Sequence, residues 1–136
     1  MKPNNTYLAV FLGGKTSPQR KAWDALSEVD RRAKEREGIA AWKAWAEKHD
    51  AAIVSIGGPL GKTKAVTQRG IDDVSNDMGA FTVVRADSHE AAAKLFEKHP
   101  HVSIFPGESV EIRPVLTRPD AEGGRVHRLT GPVGRK

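Results

Sequence analysis

His99-Pro100-His101 places two imidazoles around a proline, and imidazole is the side chain that titrates nearest neutral pH. Such a pair can shuttle protons or ligate a metal. A metal would need a third ligand. Asp77 or Glu108 could serve, but no spacing demands either, so no metal is expected. The structural alternative is that His99 sits at a helix C-terminus, where a cation is favoured, with His101 in the following loop. Trp42 and Trp45 stand three residues apart and share a helix face, either lining a pocket for an apolar or planar ligand or packing in the core. Asp72, Asp73 and Asp77 gather in one loop and could hold a cation, act as a base or simply be solvated. Arg113 is placed to meet a carboxylate ligand through both guanidinium nitrogens, or to pair with Glu111 two residues away on the same strand face. His49-Asp50 are adjacent, so their side chains diverge and form no relay.

Other chemistry is excluded. The chain has no cysteine, hence no disulfide, thiolate metal site or thiol nucleophile. Gly57-Gly58-Pro59-Leu60-Gly61-Lys62-Thr63 looks like a phosphate loop but has one residue too few between its glycine and Gly61-Lys62-Thr63, and no helix pattern follows. No cofactor motif is present.

The elements that must carry these groups follow from periodicity. Thr6 to Leu12 is an apolar run closed by Gly13-Gly14, which predicts a buried strand. Ser17-Pro18 opens a helix, with serine as cap and proline at the first turn. Trp23, Leu26, Val29 and Ala33, then Ile39, Trp42, Trp45 and Ala46, recur at three- and four-residue spacing. Gly38 interrupts them and predicts a break or bend there, giving two helices or one bent helix over residues 18–48. Ala51 to Ile56 is a second strand, Lys64 to Gln68 a minor one, Gly70 to Asn76 a loop, and Ala80 to Ala86 a third main strand. Ser88 caps a helix running to Lys98, with Pro100 as its stop. Val110 to Leu116 alternates apolar and polar, and Pro114 marks a sheet edge or a strand end.

The resulting order, β-α-β-(β)-β-α-β, predicts an α+β, ferredoxin-like βαββαβ fold with an antiparallel sheet and helices on one face. The bare face needs a cover, and a second copy of the chain is the simplest. Residues 1–117 form the domain and residues 118–136 a glycine- and proline-containing basic tail. Of 22 basic and 17 acidic residues, five basic and two acidic ones fall in that tail, leaving the domain nearly balanced at 17 against 15. Most of the net charge of +5 therefore belongs to the tail, which weakens a nucleic-acid-binding reading of the body. The tail lacks the aromatic residues that base stacking uses. No secretory leader or membrane span is read, and the cytoplasm is expected.

Several segments together resemble the YCII-related proteins of the dimeric α-β barrel group. They are Ala41 to Trp45, Ile53 to Gly61, Asn76 to Val84, Ala86 to Ala92, His99 to Val102 and Val110 to Pro114. The resemblance spans roughly residues 6–116. It implies a homodimer with a cleft between sheet and helices, and it places Asn76 and Asp77 beside that cleft. Some members look like lyases or dehalogenating enzymes that use a His–Asp pair. Their histidine lies on the first long helix, where Ala40 stands here. Two functions follow as expectations. One is a small-molecule cleft lined by Trp42, Trp45, Asn76 and Arg113, with His99, His101 and Asp77 moving a proton. The other is a non-catalytic interaction module acting through the basic tail.

Overall fold

The computed structural model describes residues 3–116. The tail from residue 118 onward lies outside them. Four long strands form one antiparallel sheet: β1 (Pro3–Leu12), β2 (Ile53–Pro59), β5 (Met78–Arg85) and β6 (Ser109–Leu116), in the order β2-β5-β1-β6. Both central strands pair on two sides, β1 and β2 run parallel to each other, and β5 runs between them. This is the ferredoxin-like strand order, so the α+β fold is as the periodicity and element order predict. A separate hairpin, β3 (Thr63–Thr67) with β4 (Gly70–Val74), is inserted between β2 and β5. Pro114 lies on β6 at the sheet edge, where its missing N–H costs no ladder bond.

The sheet's two faces follow from register. Tyr7 faces Val84 and Pro114, Ala9 faces Thr82 and Ile112, and Phe11 faces Ala80 and Val110. These pairs point at the helices, where Tyr7, Ala9, Phe11 and Val84 join Trp45, Ala92 and Phe96 in the core. The reverse face carries Leu8 opposite Val83 and Arg113, and Val10 opposite Phe81 and Glu111.

Two helices precede β2: α1 (Pro18–Asp24) and α2 (Glu28–Lys48). Ser17 accepts the Arg20 N–H and Ser27 accepts the Asp30 N–H, so each helix is capped at its first turn. The break falls at Ala25–Ser27, not at Gly38. Gly38 is buried inside an unbroken α2, and a Cβ there would collide with the Phe105 ring. The stripe facing the core is accordingly Gly38 and Trp45, both buried, with Trp42 half-buried between them, while Val29 and Ile39, expected on it, are 77% and 65% exposed.

After β5 the expected helix to Lys98 is shorter. Helix α3 (His89–Lys94) is capped by Ser88, and a second short helix, α4 (Pro100–Ser103), follows. Pro100 begins a helix here rather than ending one, and Lys98 turns the chain with φ 59. Residues 70–74, expected as loop, form β4. Among the described residues no helix is long and apolar enough to cross a membrane.

Candidate functional site

The expected site residues fall into two neighbourhoods and one outlier. The first is an aromatic cluster on the helix face of the sheet. His99 is wholly buried there, 5.0 Å from Phe11, 4.5 Å from Trp42 and 4.6 Å from Trp45 between ring centroids. It caps α4: its Nδ1 accepts the His101 N–H at 3.0 Å. Nδ1 must then be unprotonated and Nε2 must carry the proton, and that N–H has no hydrogen-bond partner among the described residues. Burial lowers the His99 pKa to about 4, with His101 and His49 adding repulsion. His99 is thus a neutral ring inside an aromatic box, not a cation at a helix C-terminus.

His101 is half-buried, and its pKa is lowered by burial against the raising effect of bonds to the Leu12 and Ser109 backbone. Its ring nitrogen Nε2 lies 2.9 Å from the Leu12 carbonyl, to which it donates. Gly107 makes room for it, since a Cβ at that position would meet the imidazole. Trp42 is half-buried against Phe11 and His99. Trp45 is buried and donates its Nε1–H to the Leu95 carbonyl at 2.7 Å. One edge of Trp45 also borders a shallow groove of about 800 Å³ between α2 and the α3–α4 segment.

The second neighbourhood is a cleft at one end of the sheet. The C-terminal ends of β1 and β2 and the N-terminal ends of β5 and β6 all reach that end. Topology therefore gathers Gly13–Thr16, Leu60–Lys62, Asn76–Asp77 and Glu108 there. The cleft, of about 1190 Å³, is lined by Lys15, Lys62, Asn76, Asp77 and Met78 among others. Asn76 Oδ1 accepts the Met78 N–H at 2.9 Å, which turns the chain so that Asp77 stands at the tip. The Asp77 carbonyl accepts the Gly13 N–H at 3.0 Å. Glu108 accepts the Gly14 N–H at 2.7 Å, and the Asp77 and Glu108 carboxylates both approach Gly14, where a Cβ would sit 3.3 Å from the Glu108 oxygen and 3.5 Å from Asp77.

Arg20 and Lys64 also reach the cleft but are engaged, by Asp24 at 3.1 Å and Asp73 at 2.6 Å. Lys15 and Lys62 make no ion pair among the described residues. Lys15 is not singled out by the sequence, and Glu108 is read there only as a possible third ligand for a metal. The signal was present in topology: residues just after two parallel strands must meet those just before their antiparallel neighbours.

Arg113 is the outlier. It lies exposed on the reverse face of the edge strand, away from both neighbourhoods, and forms no ion pair with Glu111 among the described residues. Among the described residues, no three His, Asp or Glu side chains gather as a metal-binding group.

No family model matches the chain, and no curated protein does. Among solved structures the chain is similar to 5-chloro-2-hydroxyhydroquinone dehydrochlorinase from Burkholderia phenoliruptrix AC1100 in complex with 2,5-dihydroxybenzoquinone. The two are 18% identical with a TM-score of 0.47, over 81% of this chain and 92% of that one.

Proposed function

We propose that the protein is a cytoplasmic, YCII-related homodimer that binds a small molecule in the cleft at the sheet end and moves a proton there with Asp77 as base. One observation carries this reading: loops from separate parts of the chain bring Asp77 into an open cleft that also holds Lys15 and Lys62, which make no ion pair among the described residues. A carboxylate there removes a proton, and a neighbouring ammonium stabilises the negative charge that develops. Elimination is the reaction type that fits, because it needs a base and no nucleophile or cofactor.

His99 and His101 act in this reading as positioning residues. Substrate does not reach a ring with no exposed surface, whereas the bond from His101 to the Leu12 carbonyl fixes the strand end from which the Gly13–Gly14 turn departs. Trp42 and Trp45 hold His99 in place. The reverse face bears on the dimer: Leu8 and Phe81 are half-buried there and Val10 and Val83 buried, and a second copy would extend that cover beside Arg113.

The test has two parts. Titrating 15N-labelled protein with a set of small organic fragments should move the amides of Gly13–Thr16, Leu60–Lys62 and Asn76–Gly79. Shifts confined to the groove between α2 and α3 would reject the cleft. For fragments that bind, exchange of their acidic C–H protons in D2O should be lost in Asp77→Asn with binding retained. Exchange that persists in the variant removes Asp77 as the base. Light scattering should return twice the chain mass, and a monomer removes the dimer.

A further inference from the structure

The β3–β4 hairpin has little of its own chain to rest on. Among the described residues, its one hydrogen bond to the rest of the molecule lies at its base, where the Asn76 side-chain amide donates to Thr63 Oγ1 at 3.5 Å. A two-stranded hairpin alone in water is marginal at best and is stabilised by packing a face against something else. Register and alternation sort its side chains into two faces. Thr63 and Ala65 are half-buried on one, whereas Lys64, Val66, Ile71 and Asp73 share the other and are all exposed. Val66 stands directly opposite Ile71, and at 77% and 68% they are the most exposed large apolar side chains on any described strand.

Two properties of this face limit what can cover it. The first is charge. Lys64 and Asp73 are bonded to each other at 2.6 Å, so the face presents an apolar pair beside an ion pair that is already closed. Neither charge is free to select an anionic or a cationic partner. The second is size. Two side chains fall far short of the roughly 800 Å² per partner that a standard interface buries. Such a patch does not capture a separate protein unaided, so its occupant is held by another surface as well. A second copy of the chain, drawn to the reverse face of the sheet, is an occupant of that kind, and in a twofold dimer each small contact occurs twice.

Taking the dimer proposed above as the frame, we infer that the β3–β4 hairpin is an arm laid against the second copy, with Val66 and Ile71 buried at the contact. The arm also joins the dimer to the cleft. Thr63, Lys64, Asp73 and Val74 at its base line that cleft, so the second copy braces one of its walls.

Two measurements on the full-length protein test the arm. In the wild type, a soluble paramagnetic agent should broaden the methyl signals of Val29 and spare those of Val66 and Ile71, although Val29 and Val66 are equally exposed within one chain, at 77%. Sedimentation then compares Val66→Thr/Ile71→Thr with Val29→Thr. Threonine keeps the branched shape that strands favour, so the arm stays paired. The arm variant should raise the dimer dissociation constant at least about tenfold, because four apolar side chains per dimer lose favourable burial. Val29→Thr should leave it unchanged. A dimer whose arm methyls broaden as Val29 does, or whose strength ignores the arm variant, overturns the arm and leaves the dimer standing. A wild-type monomer overturns both. The methyl measurement uses the wild type alone, so it decides the matter even for an arm variant that unfolds.

Discussion

The buried, neutral His99 makes the fold acid-sensitive by an amount the structure sets. The His99 pKa lies at about 4 against an ordinary 6.5, and the cause is burial first. Protonation also turns Nδ1 from an acceptor into a donor aimed at the His101 N–H, so the α4 cap is lost at the same time. The unfolded chain takes up the proton near pH 6.5, whereas the folded chain resists it until about pH 4. Stability is therefore fully present above pH 6.5 and is lost as the pH falls through that window. At about 1.4 kcal/mol per pH unit the loss is about 3 kcal/mol, a large share of the 5–15 kcal/mol typical of a domain. Urea unfolding at pH 7 and pH 4 measures it. Other groups also titrate over this range, so the informative quantity is the difference between wild type and His99→Phe. The variant keeps an aromatic ring in the box and loses the cap, at a cost of about 1 kcal/mol at pH 7. Between pH 7 and pH 4 it should lose about 3 kcal/mol less than wild type. Equal losses in the two proteins would refute the neutral, buried histidine.

Three further substitutions test the packing. Gly38→Ala should destabilise by about 1–3 kcal/mol in urea unfolding, because the new methyl displaces the Phe105 ring; stabilisation, which alanine brings at an ordinary helix position, would contradict the contact. Gly107→Ala should push the His101 ring off the Leu12 carbonyl, cost about 2 kcal/mol in thermal unfolding, and move the Gly13 and Gly14 amide resonances; unmoved resonances would separate His101 from the turn. Trp45→Phe leaves the Leu95 carbonyl without its indole donor and should cost about 1–3 kcal/mol by urea unfolding, while an unchanged midpoint would make that bond idle.

The sheet was legible because its signals are local and repeated. Tyr7, Ala9 and Phe11 alternate with reverse-face residues, Ser17-Pro18 and Ser88 cap as their side chains predict, and Pro114 sits at the edge that its missing donor requires. What was misread depended on distant partners. Helix propensity charges Gly38 for its backbone freedom but is blind to the Phe105 ring that fills the place of its missing side chain. Strand β4 is exposed along its whole length and contains Asp72-Asp73, so it shows no alternation; pairing with β3 alone makes it a strand. Pro100 is compatible with the end of one helix or the first turn of the next, and the cap that decides between them is an imidazole, outside the usual set of Ser, Thr, Asp and Asn.

The same distinction explains why the anticipated site divided. Trp42, Trp45 and His99 are chemically expressive residues, but their spacing puts them on the face of α2 and at the α4 turn that cover the sheet, where they are consumed by packing. Asn76 and Asp77 stand at the end of the sheet, where strands finish and side chains meet solvent. One atom joins the two regions. The Leu12 carbonyl accepts from His101 and from the Glu108 N–H, both at 2.9 Å, while Glu108 and Asp77 hold the next two amides, Gly14 and Gly13. The half-buried imidazole of His101 thus reaches this end of the sheet through the backbone that it anchors, next to the Asp77 and Glu108 carboxylates beside Gly14. Under the proposed function the histidines shape where Asp77 stands, and the cleft's chemistry falls to the groups that solvent can reach.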